Sequence, residues 1–193
     1  MSDTLLRFDR VRGVRGGRLL FDDLSFALGR GDALRIAGPN GAGKSSLLRI
    51  AAGLLRPAAG TVAAPHRIGL IDDRFPFDLE RTVARELAFW TALDGMPAAL
   101  IDDALTAFDI AHLADVPMRL LSTGQRRRAQ FAGLWADTSQ LWLLDEPMNG
   151  LDEAGFAAVR REIAAFRSGG HAVLYVSHQP LNLHREQVLE LGR

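Results

Sequence analysis

The chain has 193 residues, 23 of them basic and 23 acidic, so its formal net charge at pH 7 is zero. A hydrophobic share of 48% beside 24% charged residues fits one globular domain and excludes a disordered, collagen-like or coiled-coil chain. Zero net charge gives no field that would recruit nucleic acid or an anionic membrane. The absence of cysteine excludes disulfides, thiolate metal sites and thiol nucleophiles.

The first residues, Met1-Ser2-Asp3-Thr4-Leu5-Leu6-Arg7, alternate charge with apolar side chains and do not form a signal peptide. No apolar run approaches the ~18 residues of a spanning helix. The reading is of a cytosolic chain that meets a membrane only through a partner. Leu6, Phe8 and Leu24–Leu28 show period-two patterning, with Gly13, Gly16 and Gly17 as turn material between them. Ala33–Ala37 reads as a short strand running into a glycine-rich loop. From Lys44 to Leu55 the spacing predicts a helix, stopped by Pro57 and Gly60. Arg67–Ile71 is the next strand. Amphipathic helices are predicted over Val83–Leu93, Ala98–Phe108 and from Gly124 onward. Strands return at Gln140–Asp145, His171–Ser177 and Gln187–Leu191, with a helix at Glu153–Phe166. This alternation with an inserted helical block predicts an α/β core, residues 1–73 and 137–193, carrying an α-helical subdomain, residues 74–136.

Three motifs carry chemistry. Gly38, Pro39, Asn40, Gly41, Ala42, Gly43, Lys44 and Ser45 fit G-x-x-x-x-G-K-[ST] between a strand and a helix, with Ser46 next in that helix. Glycines let successive backbone N–H groups converge on a phosphate, and a helix start adds a positive dipole end. Lys44 reaches the β- and γ-phosphates, and the Ser45 hydroxyl is placed for Mg²⁺. Lys44 is also the only lysine in the chain. Where every other basic residue is arginine, it marks a place that needs a compact point charge. Second, the apolar run Leu141-Trp142-Leu143-Leu144 ends in Asp145 and Glu146. Asp145 is expected to hold Mg²⁺ and Glu146 to activate water as a base. Third, Leu121-Ser122-Thr123-Gly124-Gln125 precedes a helix carrying Arg126-Arg127-Arg128. On its own this reads equally as an anion site or as a helix cap beside a solvated arginine face.

The order of these motifs, followed by Asn149-Gly150-Leu151-Asp152 and by His178 after a strand, resembles the ATP-binding cassette (ABC) ATPases over essentially the whole chain. That resemblance implies a P-loop NTPase fold of α/β class, an ABC-type nucleotide-binding domain with an antiparallel β region and an inserted helical subdomain. It further implies two copies paired head to tail around ATP. Ser122, Gly124 and Gln125 would then meet the nucleotide across the dimer, Asp152 would link the two sites, and His178 would bond the γ-phosphate with Glu146 as base. His66, His112, His171 and His184 match no motif and read as surface or core histidines. The run from Asp115 to Arg128, with Gly133-Leu134-Trp135, Leu141–Pro147 and His178-Gln179, more closely resembles the ATP-binding subunits of the haem exporters of bacterial cytochrome c maturation. This implies ATP and Mg²⁺, membrane permease subunits and haem-handling proteins as partners, a place on the cytoplasmic face of the cell membrane, and no nucleic acid.

Two departures stand out. Val14-Arg15-Gly16-Gly17 has no aromatic where cassettes stack adenine, leaving Arg15 as a candidate. Asp72-Asp73-Arg74-Phe75 replaces the usual glutamine after the Ile71 strand, which implies a weakened link to the helical part. The open alternatives are a cassette ATPase for another cargo and a soluble, non-transport cassette.

Overall fold

Gly16 and Gly17 both take positive φ, 56° and 77°, which is what a two-residue hairpin turn demands. Around them β1 (Thr4–Arg15) and β2 (Arg18–Gly29) pair antiparallel. The computed structural model describes residues 4–192. A bulge at Arg10, φ 47°, resets the alternation, so Phe8 and Val11 both face inward despite their odd spacing. Gly13 is not turn material. It lies inside β1, where a Cβ would overlap the Phe21 ring. A further strand that the sequence did not announce, β3 (Ala59–Ala63), pairs antiparallel with β1 and completes a three-stranded sheet. Gly60 belongs to it, at φ 80° beneath the Arg10 carbonyl.

A five-stranded sheet holds the phosphate loop. Its members are β4 (Ala33–Ala37), β5 (Ile68–Ile71), β6 (Leu141–Asp145), β7 (Ala172–Val176) and β8 (Glu186–Glu190), in the spatial order β5-β6-β7-β4-β8. The β4 pairings to β7 and β8 and the β6 pairing to β7 are parallel. Strands covered on both faces read as unbroken apolar runs, and every residue of β7 and the first four of β6 are buried. Parallel strands bring their C-terminal ends to one edge, where ligands of such sheets bind. The phosphate loop follows β4, Asp145 ends β6 and His178 follows β7. From the loop runs α1 (Lys44–Ala51), which stops short of the expected Leu55 as the chain turns through Gly53 at φ 72°.

The chain divides into two compact units. One comprises the described part of Met1–Leu70, Gln140–Pro147 and Ala164–Arg193; the other comprises Ile71–Ser139 and Met148–Ile163. The second unit contains α2 (Val83–Leu93), α3 (Leu100–Ala107), α4 (Thr123–Trp135) and the first two-thirds of α5 (Glu153–Ser168). Its core includes Leu87, Leu105 and the stacked rings of Phe108 and Phe131, 5.8 Å apart. Glu86 is buried on α2 and is satisfied there, accepting from Trp90 Nε1 at 2.8 Å, Asp78 N at 3.2 Å and Arg81 Nη1 at 3.4 Å.

Candidate active site

In the first unit the phosphate loop is braced from two sides. Gly38, at φ 138°, cannot carry a Cβ because the Leu191 carbonyl oxygen occupies that space. At Gly43, φ 99°, a Cβ would stand 2.8 Å from Leu20 Cβ. Gly41 has φ 80° and open space around it, so its requirement is conformational. Gly43 caps α1 with no side-chain hydrogen bond, and Leu47 N is bonded to Gly43 O at 2.9 Å. The N–H groups of Lys44, Ser45 and Ser46 therefore lack intrahelical acceptors, which is how a helix start binds an anion. Lys44 is buried, and its ammonium donates to Gly38 O at 2.8 Å and Pro39 O at 3.0 Å. An ammonium has three hydrogens, so one remains for a phosphate.

Glu146 takes φ 45°, a left-handed conformation that costs a non-glycine residue roughly 1–2 kcal/mol. Its N–H donates to Val176 O at 2.9 Å, which ties the turn after β6 to the end of β7. Glu146 Oε1 lies 3.6 Å from His178 Nε2, with the glutamate side chain 25% exposed and the histidine 59%. That separation is an ion pair when the imidazole is protonated and is too long for a hydrogen bond. Among the described residues no cluster of three or more histidine, cysteine or carboxylate ligands exists. The Ser45 hydroxyl and Asp145 carboxylate nevertheless fit Mg²⁺ in kind. Mg²⁺ favours hard oxygen donors and takes few from the protein when phosphate oxygens supply others.

The second unit gathers Ser122, Gly124, Gln125 and Asp152. Ser122 Oγ accepts from Gln125 N at 3.2 Å, and Gln125 Oε1 accepts from Ser122 N at 2.9 Å, a capping box at the start of α4. Of the two readings of this motif, the cap is present within the chain itself. A Cβ on Gly124 would stand 2.5 Å from Gly150 O, so close backbone approach requires this glycine. Asp152 Oδ1 accepts from Gly155 N at 2.8 Å and caps α5. The three arginines do not form a solvated face. Arg126 donates to Met118 O and Arg119 O, Arg127 to Asp72 O, and the buried Arg128 faces Asp109 and Asp152. Nor is the segment that replaces the usual glutamine loose within this unit. Arg127 Nη1 reaches Asp72 O at 3.3 Å, Gln130 Nε2 reaches Arg74 O at 2.9 Å, and the Arg126 guanidinium lies over Phe75.

Of the four histidines outside the motifs, His66, His112 and His184 are exposed. His171 stacks on Phe166, and burial, with Arg30 second, lowers its pKa. Arg15 is exposed beside the hairpin turn. Sequence reasoning missed Leu20 and Leu191, which brace the loop, because nothing in their own patterning marks them.

The sequence profile of the ABC transporter family matches residues 21–149. The cytochrome c biogenesis ATP-binding export protein CcmA of Sphingopyxis alaskensis is 49% identical over 188 residues, covering 97% of each chain. Its namesake in Zymomonas mobilis is 46% identical, covering 94% of this chain and 81% of its own. Among solved structures, the ATP-binding subunit of an ABC transporter superposes with a TM-score of 0.83 at 21% identity, covering 91% of this chain and 80% of its own. At those identities the structural likeness concerns the fold.

Proposed function

Because the chain belongs to the ABC transporter family, and within it to the cytochrome c biogenesis ATP-binding export proteins, we propose that it hydrolyses ATP with Lys44, Glu146 and His178 to drive an exporter whose cargo is haem. It is an ATP-hydrolysing transporter subunit of cytochrome c biogenesis. The finer assignments that follow are our reading. The loop from Gly38 to Ser46 cradles the phosphates with its backbone N–H groups, and Lys44 places its charge between the β- and γ-phosphates. Ser45 and Asp145 would hold Mg²⁺, which would supply positive charge to the phosphates. Glu146 takes a proton from the attacking water, and His178 donates to the γ-phosphate. Ser122 and Gly124 present the start of α4 to the γ-phosphate of a second copy. Gln125 acts there through the capping box and Asp152 through the start of α5. Membrane permease subunits receive the work, with residues 74–136 as the helical subdomain, at the cytoplasmic face of the membrane and beside haem-handling proteins. Among the described residues no helix is long and apolar enough to cross a membrane.

The observation that carries the catalytic assignment is Glu146, held in a strained backbone and 3.6 Å from His178. Glu146→Gln keeps the shape and removes the base. It should retain ATP binding and lose turnover by on the order of 10²-fold or more. Near-normal turnover would remove Glu146 from the mechanism. Co-purification from detergent-solubilised membranes tests the partners, and recovery of permeases without any haem-handling protein would overturn the cargo.

A further inference from the structure

The segment between β7 and β8 that carries His178 has no helix or strand of its own. Its shape is set by side chains that reach it from the sheet and from α5. Leu181 N, three residues past His178, donates to the Tyr175 hydroxyl at 3.1 Å. That hydroxyl donates onward to Glu186 Oε1 on β8. His184 O accepts from Arg167 Nη2 at 2.7 Å, and Ser177 O accepts from Arg35 Nη1 at 3.4 Å. Asn182 and Arg185 sit at positive φ, 51° and 56°, so the path between these anchors is a constrained one.

Tyr175 is the only tyrosine in the chain, and it is fully buried in an otherwise aliphatic strand. Phenylalanine would fill the same volume. A buried hydroxyl adds a desolvation cost that packing does not require and that only hydrogen bonds offset. Here the bonds go to the backbone of the His178 segment and to the neighbouring strand. Burial first, and Glu186 second, push the hydroxyl's pKa above its ordinary range, so it stays a neutral donor.

We propose that Tyr175 is a positioning residue for His178, its hydroxyl, oriented by Glu186, fixing Leu181 and with it the loop that aims the imidazole toward Glu146. The proposal rests on the assignment of His178 made above. The test measures ATP turnover for Tyr175→Phe, His178→Ala and the double variant, each below its own melting midpoint. Tyr175→Phe should lower kcat roughly 10-fold and leave KM for ATP within about 2-fold. Added to His178→Ala, it should change kcat by less than about 2-fold, since the group it positions is gone. Glu186→Ala should reproduce the loss, and Glu186→Gln, which keeps an acceptor, should restore it. This pair decides the matter if Tyr175→Phe does not fold. An equal fall in both histidine backgrounds, or no fall in Tyr175→Phe or Glu186→Ala while His178→Ala is impaired, overturns the role of Tyr175. Wild-type turnover in His178→Ala overturns the assignment of His178 itself, and the proposal with it.

Discussion

Lys44 places its ammonium between Gly38 O and Pro39 O, with 8% of the residue exposed. A planar guanidinium is wider than that seat, and its fixed fork cannot aim at two carbonyls of one tight loop and at a phosphate. Lys44→Arg, the substitution that composition elsewhere in this chain favours, should therefore lower turnover by about 10²-fold or more. Melting should show the fold retained; wild-type turnover in that variant would refute the argument. His171 supplies a second test at this scale. Burial lowers its pKa from the ordinary 6.5, so the unfolded chain binds the proton more readily. Stability should fall as pH drops below about 6.5 toward the lowered folded value, and be restored above it. His171→Phe should flatten that dependence in unfolding titrations carried below pH 6.5. The phosphate loop was legible because its chemistry requires a rare arrangement of glycines and one lysine. The braces were not, since any apolar residue of similar size looks like Leu20 in a sequence, and Leu191 acts through a backbone carbonyl that every residue carries.

The elements were read well where periodicity was long or strands were buried on both faces, as in α2, β6 and β7. β3 escaped because Ala59, Gly60 and Ala63 have weak strand character, and pairing to β1, not propensity, makes the segment extended. The two readings of the α4 arginines could not be separated in the sequence, because the groups they meet, such as Asp72 O and the Asp109 and Asp152 carboxylates, lie at separations that no local pattern shows. At this scale the capping box predicts that Ser122→Ala costs about 1 kcal/mol, a fall of roughly 2–4 °C in Tm. Replacing Arg127 and Gln130 together by alanine removes their bonds to Asp72 O and Arg74 O. Hydrogen exchange at residues 72–75 should then speed up while that of α2 is unchanged. Unaltered exchange at 72–75 would show that other contacts hold the loop.

For the whole molecule, the proposed head-to-tail pairing predicts that a Ser122→Arg chain and a Lys44→Ala chain, each inactive alone, recover part of the activity when mixed. One site of such a mixed dimer carries both lesions and the other carries neither. Absence of recovery, with mixed dimers shown to form, would exclude shared sites. The family and the α/β class could be read from the order of motifs along the chain. The grouping of the Met148–Ile163 segment with the helical unit could not, because it depends on contacts such as Gly124 against Gly150 and Arg128 against Asp152.

The strand that delivers the phosphate loop, β4, finds its sheet partners only in β7 and β8, through pairs such as Ala33 with Val173 and Ala33 with Glu186. Leu191 then backs Gly38. A ribosome makes these groups in the opposite order of need. The hairpin of β1 and β2, with Leu20, is local and can form as it emerges, while the loop emerges long before β7, β8 and Leu191. Such long-range pairing is slow to close. The nucleotide seat is therefore finished by residues translated long after the loop itself. Stalled nascent chains ending near residue 170 should fail to capture a photoreactive ATP analogue, and released chains that include β7, β8 and Leu191 should capture it. Capture by the stalled chains would show that the loop shapes itself. A chain cut ahead of β7 and β8 should therefore have no grip on ATP.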